Sequence, residues 1–150
     1  DCLKSGGLMK LGLYSELARK DIIKIREEIA ELGVDLSGSA MQAFRNDMIK
    51  SKKDQYNQVI NSSDFYSLST LRDLLFHVQE HRFTLTQIKE SLLELGLRFC
   101  GFQDPDIVRK HRRKFEGVEC LYDLDKWLIT EESNPTMFSG MYQFWCQKIA

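Results

Sequence analysis

The chain has 150 residues, 43% of them hydrophobic and 29% charged, with a formal net charge of −1. That is the size and balance of one domain with its own core. So nearly neutral a chain has no global field to draw in nucleic acid or an anionic membrane, and no apolar run approaches the roughly 18 residues of a membrane span.

Two prolines and the absence of low-complexity tracts argue against disorder. The first residues, Asp1 and Cys2, do not have the basic-then-apolar order of a signal peptide. Cys2, Cys100, Cys120 and Cys146 are scattered, without a C-x-x-C pair or metal-ligand spacing. They fit a reducing, cytoplasmic compartment better than a disulfide framework.

Leu3 to Tyr14, LKSGGLMKLGLY, reads as a helix tail (Leu3, Lys4), a two-glycine turn and a hydrophobic strand from Leu8 to Tyr14. A strand entered through so tight a turn belongs inside a sheet, so the chain is expected to begin in the middle of something larger. Ser15 is placed to cap a helix running to about Leu32, with Ile22, Ile25, Ile29 and Leu32 on one face and Gly33 as its stop. A turn over 34–38 follows. Ser39 with Gln42 fits a capping box for a second helix, whose apolar side is Met41, Phe44, Met48 and Ile49. The polar stretch 51–63 suggests a frayed end or an exposed linker.

Residues 67–76 begin a short helix or a helix-to-strand passage, and the period-two alternation of 77–83 permits an extended segment. Thr84 with Gln87 makes another capping box, opening a helix with Ile88, Leu92 and Leu95 on its buried side and Gly96 at its end. Strand 97–102 follows at once. Asp104-Pro105 starts a helix that ends in the basic run 109–114. Asp123 caps a last helix carrying Leu124, Trp127 and Leu128, which must stop near Asn134-Pro135. Met141 to Lys148 has the aromatic weight of a closing strand. The expected organisation is α/β, with a strand over 1–14, a helical insertion or lid over 15–67, and final helices and strands over 68–150.

This order of motifs resembles the C-terminal half of a class I S-adenosylmethionine-dependent methyltransferase. Leu3-Lys4-Ser5-Gly6-Gly7 stands where that family has an L-K-P-G-G turn into its fifth strand, with Ser5 in the proline's place. Thr84, Gln87, Ile88, Leu92, Gly96 and Leu97 match its last helix and the entry to its sixth strand. The wording GLMKLGLYSELAR, DLLFHVQEHRFT and MFSGMYQFW is similar to a group of bacterial members, some fused to tetratricopeptide repeats.

The resemblance implies a Rossmann-like sheet with a helical insertion. Its seventh strand, Met141 to Lys148, would run antiparallel between the fifth and sixth. It implies a cytoplasmic transferase that moves a methyl group from S-adenosylmethionine to an acceptor such as a protein side chain, a peptide or a small metabolite. The glycine-rich loop after a first strand and the acidic residue that holds the cofactor's ribose are absent from these residues. No cofactor-binding residue is therefore expected here, and the N-terminal half of the same domain is the expected partner. A sheet truncated on that side would carry an open edge that invites pairing, either with that half or in an oligomer.

Ligands of open α/β sheets sit beyond the carboxyl ends of the strands, which singles out Tyr14 and Arg19. The alternative for Tyr14 is a half-buried ring with its hydroxyl in water. His77, Glu80 and His81 form an H-x-x-E-H pattern known from zinc peptidases. Zinc needs both histidines one turn apart on a helix and a further ligand, which an extended segment does not offer. As substrate-side groups, the same histidines could take a proton from an attacking nucleophile; as structural groups they fix the loop.

Phe65, Tyr66 and Leu68 read as a lid edge or as an anchor for the insertion. The run Arg109 to Lys114 reads as a solvated face favoured by the helix dipole, or as a docking point for an acidic partner. Trp127, Phe138, Phe144 and Trp145 read as core. A non-catalytic interaction or regulatory domain on the same fold remnant is the competing reading.

Overall fold

The computed structural model describes residues 3–76 and 79–149. The fold is α/β. The chain forms two compact units: residues 1–18 with 81–150, and the inserted residues 19–80. No described helix is long and apolar enough to cross a membrane.

The first unit holds a four-stranded sheet of order β2-β1-β4-β3, with β1 Leu8–Ser15, β2 Arg82–Phe83, β3 Leu97–Phe102 and β4 Tyr142–Lys148. β4 is antiparallel to β1 on one side and to β3 on the other. β2 is parallel to β1 over two residues only, Tyr14 opposite Arg82 and Ser15 opposite Phe83. The turn into β1 uses Gly6 at a positive φ of 74°, and the Gly6 amide donates to the carbonyl of Lys148 at 3.0 Å. Leu3 and Lys4, expected as a helix tail, instead form a bend in which the Lys4 carbonyl accepts the Gly7 amide at 2.8 Å. β3 bulges between Phe99 and Gly101, where Gly101 takes a φ of 109° that an L side chain rarely adopts.

Alternation along the strands gives the sheet one apolar face. Phe99 and Phe102 of β3, with Tyr142, Phe144 and Cys146 of β4, point into a core shared with the helices over 85–94, 105–112 and 124–133. Phe102 sits at its centre, with ring centroids of Trp127 and Phe138 at 4.8 and 4.7 Å. Trp145, expected in the core, alternates to the opposite face and is 40% exposed.

α5 (Leu85–Glu94) opens on the predicted capping box: Thr84 accepts the Gln87 amide while the Gln87 side chain accepts that of Thr84. Leu85, Ile88 and Leu92 are buried, but Leu95 lies past the last turn and faces solvent. α6 (Pro105–Arg112) and α7 (Leu124–Ser133) start on Asp104 and Asp123, each accepting two backbone amides of the first turn.

The inserted unit is helical: α1 Lys20–Glu31, α2 Gly38–Ser51, α3 Asn57–Ile60 and α4 Leu68–Leu75, with 3-10 turns at Asp54–Tyr56 and Ser63–Phe65. Ile22, Ile25 and Ile29 form the buried stripe of α1, packed with Phe44, Met48, Leu71 and Leu75. Three expectations are corrected here. α1 begins at Lys20, not at a Ser15 cap, because Ser15 ends β1 and uses its hydroxyl elsewhere. α2 is capped by Ser37, which accepts the Ala40 amide, two residues earlier than the expected Ser39, and Ile49 is exposed instead of lying on the buried side. The stretch 51–63 is no exposed linker, since its short turns bury Tyr56 and Val59. Of the aromatic pair Phe65-Tyr66, Phe65 is buried as an anchor while Tyr66 is exposed.

Candidate functional site

The sequence-derived candidates fall into both units and are treated separately. In the inserted unit, Arg19 and Glu80 come together, although 60 positions of chain separate them. Arg19 Nε stands 3.7 Å from Glu80 Oε1, and Arg26 Nη2 donates to Glu80 Oε2 at 3.0 Å. Arg26 also grips the Leu74 carbonyl through Nε and Nη2 at 3.1 and 2.8 Å, pinning the end of α4 to α1. The carboxylate of Glu80 is 6% exposed. Held between two guanidiniums in so dry a place, it works as a tie between the first and last residues of the unit.

This geometry bears on the H-x-x-E-H pattern. Glu80 faces the two arginines, His81 is exposed, and His77 lies outside the described residues. Among the described residues, no three His, Cys, Asp or Glu side chains gather where they could hold a metal ion.

In the sheet-bearing unit, Tyr14 is half-buried at the carboxyl end of β1, and its Cα partner on β2 is Arg82, the residue after His81. Tyr14 and His81 thus lie toward the same end of one strand pair. Beside them lies a group the sequence reading missed. Glu131 of α7 receives the Ser15 hydroxyl and the Tyr142 hydroxyl on the same oxygen, Oε1, each at 2.6 Å. All three residues are at most 1% exposed. Ser15 Oγ in turn accepts the Ala18 amide at 3.0 Å, closing the turn that leaves β1.

Burial pushes the Glu131 carboxyl above the usual carboxylate range, opposed by its two hydroxyl donors. Burial and the neighbouring Glu131 push the Tyr142 phenol up as well. The network joins the end of β1, the start of β4 and α7 at the edge where an α/β sheet presents its ligand side. One signal for it was available: Leu124, Trp127 and Glu131 follow i, i+3, i+7 spacing, which places an acid on the apolar stripe of a helix.

A second missed group sits in the basic run. His111 is completely buried and stacked on Trp127, with ring centroids 3.7 Å apart and planes at 11°. Its Nε2 donates to the Cys120 carbonyl at 3.0 Å, so in the neutral ring Nδ1 accepts from Thr130 Oγ1 at 2.7 Å. Burial holds its pKa below the ordinary histidine value.

A shallow cleft of about 400 Å³ opens at the same end of the sheet, between Gln103, Asp104, Met137 and Gln143. It contains none of the sequence-derived candidates. The glycine pair Gly6-Gly7 offers no cradle for a cofactor. Both amides are spent on carbonyls of the chain itself, and a Cβ at Gly7 would lie 2.8 Å from the Lys4 carbonyl. The Gly6-Gly7 turn therefore presents no free amide to a cofactor. No protein-family model matches the chain, and no curated protein matches it significantly.

Proposed function

We propose that this chain is the C-terminal part of a Rossmann-like methyltransferase sheet and serves in moving a methyl group from S-adenosylmethionine to an unidentified acceptor. The observation that carries this reading is the position of β4. A last strand running antiparallel between two earlier strands, here β1 and β3, is the arrangement that the resemblance implies for the fifth, sixth and seventh strands. A helix–glycine–strand unit, α5 to β3, leads into it.

The cofactor would be held by the N-terminal half of such a domain. The free flank of β1 supports that division of labour. On the side of β2 only Tyr14 and Ser15 are paired, leaving residues 8–13 without a strand partner there among the described residues. A neighbouring parallel strand, or in an oligomer the edge of another copy, would complete that ladder. Tyr14 and His81, at the carboxyl end of β1, are the groups of this unit proposed to face the acceptor. Alignment and exclusion of water supply most of the rate in such a displacement, so neither needs to be a strong base.

One observation favours a second reading, a non-catalytic interaction or regulatory domain. Glu80 and Arg19, two of the five proposed substrate-side residues, are engaged with one another and with Arg26 inside the inserted unit. Radiolabelled methyl transfer by the longest natural protein that contains this chain separates the two. The methyltransferase reading expects turnover that falls at least tenfold, about 1.4 kcal/mol, in Tyr14→Ala or His81→Ala. The interaction-domain reading expects no transfer at all.

A further inference from the structure

The run Arg109 to Lys114 is absorbed by neither reading, and its geometry assigns it a separate role. His111 lies in the middle of the run and is the anchor that sets its rotation. Its ring is clamped on Trp127, Thr130 and the Cys120 carbonyl. At about 100° per residue, Arg109 and Arg113 then point roughly opposite to the buried ring, while Lys110 and Arg112 flank it. Lys114 falls back toward the buried side, and its Nζ indeed reaches the Ile129 carbonyl and Ser133 Oγ, at 3.2 and 2.5 Å. Arg109 pairs with Asp106 at 2.8 Å, an exposed contact one turn back. Lys110, Arg112 and Arg113 make no side-chain hydrogen bond or ion pair among the described residues, and all three are exposed. The nearest acid after the run, Glu116, is exposed and pairs with none of them.

We infer that Lys110, Arg112 and Arg113 form a docking patch for an acidic polypeptide segment. A cluster of unpaired cations on a chain of net charge −1 is a local feature that complements local negative charge. It is too small to be a general attraction to polyanions. Its length is also local: from Lys110 to Arg113 the axis rises only about 4.5 Å, the span of one to two residues of extended chain.

Nucleic acid is the less favoured occupant because the patch lacks a stacking platform. The two rings within reach are already used, that of His111 on Trp127 and that of Phe115 beneath Lys126 Nζ at 5.9 Å. What the cations offer is charge and hydrogen-bond donors in a fixed arc, which suits carboxylates.

The test is a heteronuclear NMR titration of the full chain with a short oligoglutamate peptide at low salt, repeated with duplex DNA and with vesicles containing phosphatidylserine. The expected result is saturable shifts at the amides of residues 109–114. Binding should be about tenfold weaker in the triple variant K110Q/R112Q/R113Q, as three exposed charge contacts imply, and unchanged in Leu32→Ala on the inserted unit. The variant's other amide shifts serve as the folding check, since none of the three side chains is buried. The inference is overturned if oligoglutamate leaves those amides unmoved or if the triple variant binds it equally well. Tighter binding of DNA or vesicles through the same residues would overturn it too.

Discussion

In the sheet-bearing unit the buried carboxylate of Glu131 faces two hydroxyls; in the inserted helical unit that of Glu80 faces two guanidiniums. The units differ as much in how they are assembled. The first is built from chain segments far apart in sequence, and an aromatic cluster of Phe99, Phe102, Trp127, Phe138, Tyr142 and Phe144 fills its core. The second is continuous, and its core is mainly aliphatic and carried by helices alone. The contrast teaches that one residue type, glutamate, is bent to two tasks by its neighbours. Neutral donors and burial keep Glu131 ready to hold a proton, whereas cations commit Glu80 to a tie between the two ends of its unit.

The largest effect that would break this contrast is expected in the aromatic core. Phe102→Ala removes the ring at the centre of the cluster and should cost about 3–5 kcal/mol, read as a lower midpoint in urea unfolding. Somewhat less, about 3 kcal/mol, is expected for Glu80→Ala. That change removes the carboxylate that lies against the Arg19 and Arg26 guanidiniums. Hydrogen exchange at the ends of α1 and α4 should speed up with it; unchanged exchange there would mean the tie contributes nothing.

Glu131→Gln should cost only about 1 kcal/mol, but it should change the pH profile of stability. The folded Glu131 carboxyl sits above its ordinary value of 4.5. Its contribution is therefore complete below pH 4.5 and is lost as pH rises through the higher folded value. His111 acts with the opposite sign. Its folded pKa lies below the ordinary 6.5, so its contribution is present above pH 6.5 and is lost as pH falls toward the folded value. Unfolding measured across this range should show the decline on the rising-pH side vanish in Glu131→Gln, with the acid-side decline intact. If the two profiles superimpose, the carboxyl is not the titrating group. A similarly small effect, without any change in pH profile, is expected at the helix start: Thr84→Ala removes one half of the capping box and should cost about 1 kcal/mol.

Much of the fold was legible because its signals are local. Thr84 with Gln87, Gly96, Asp104-Pro105 and Asp123 each act within one turn of helix, and each stands where its spacing predicts. The closing strand was readable from its aromatic weight, and its antiparallel position was carried by the resemblance, not by its own residues. What escaped is non-local. Ser15 looks like a helix cap because a serine before a charged helix usually is one; its hydroxyl is claimed instead by Glu131, 116 positions away. His111 looks like one more cation of a solvated run until the stacking on Trp127 is seen. The short spacing of Tyr56 and Val59 in a polar stretch is too sparse a pattern to betray a buried turn. Of the candidate residues, Arg19 and Glu80 meet within one unit, while Tyr14 and His81 share the β1–β2 end of the other.

The central claim is that this chain supplies the closing half of a methyltransferase sheet whose cofactor is held by residues elsewhere. Isothermal titration of S-adenosylmethionine into this chain, alongside the longest natural protein that contains it, tests that claim most directly. Saturable heat from the longer protein and none from the chain alone is the predicted result. Tight binding by the chain alone, or no binding by either, would contradict it.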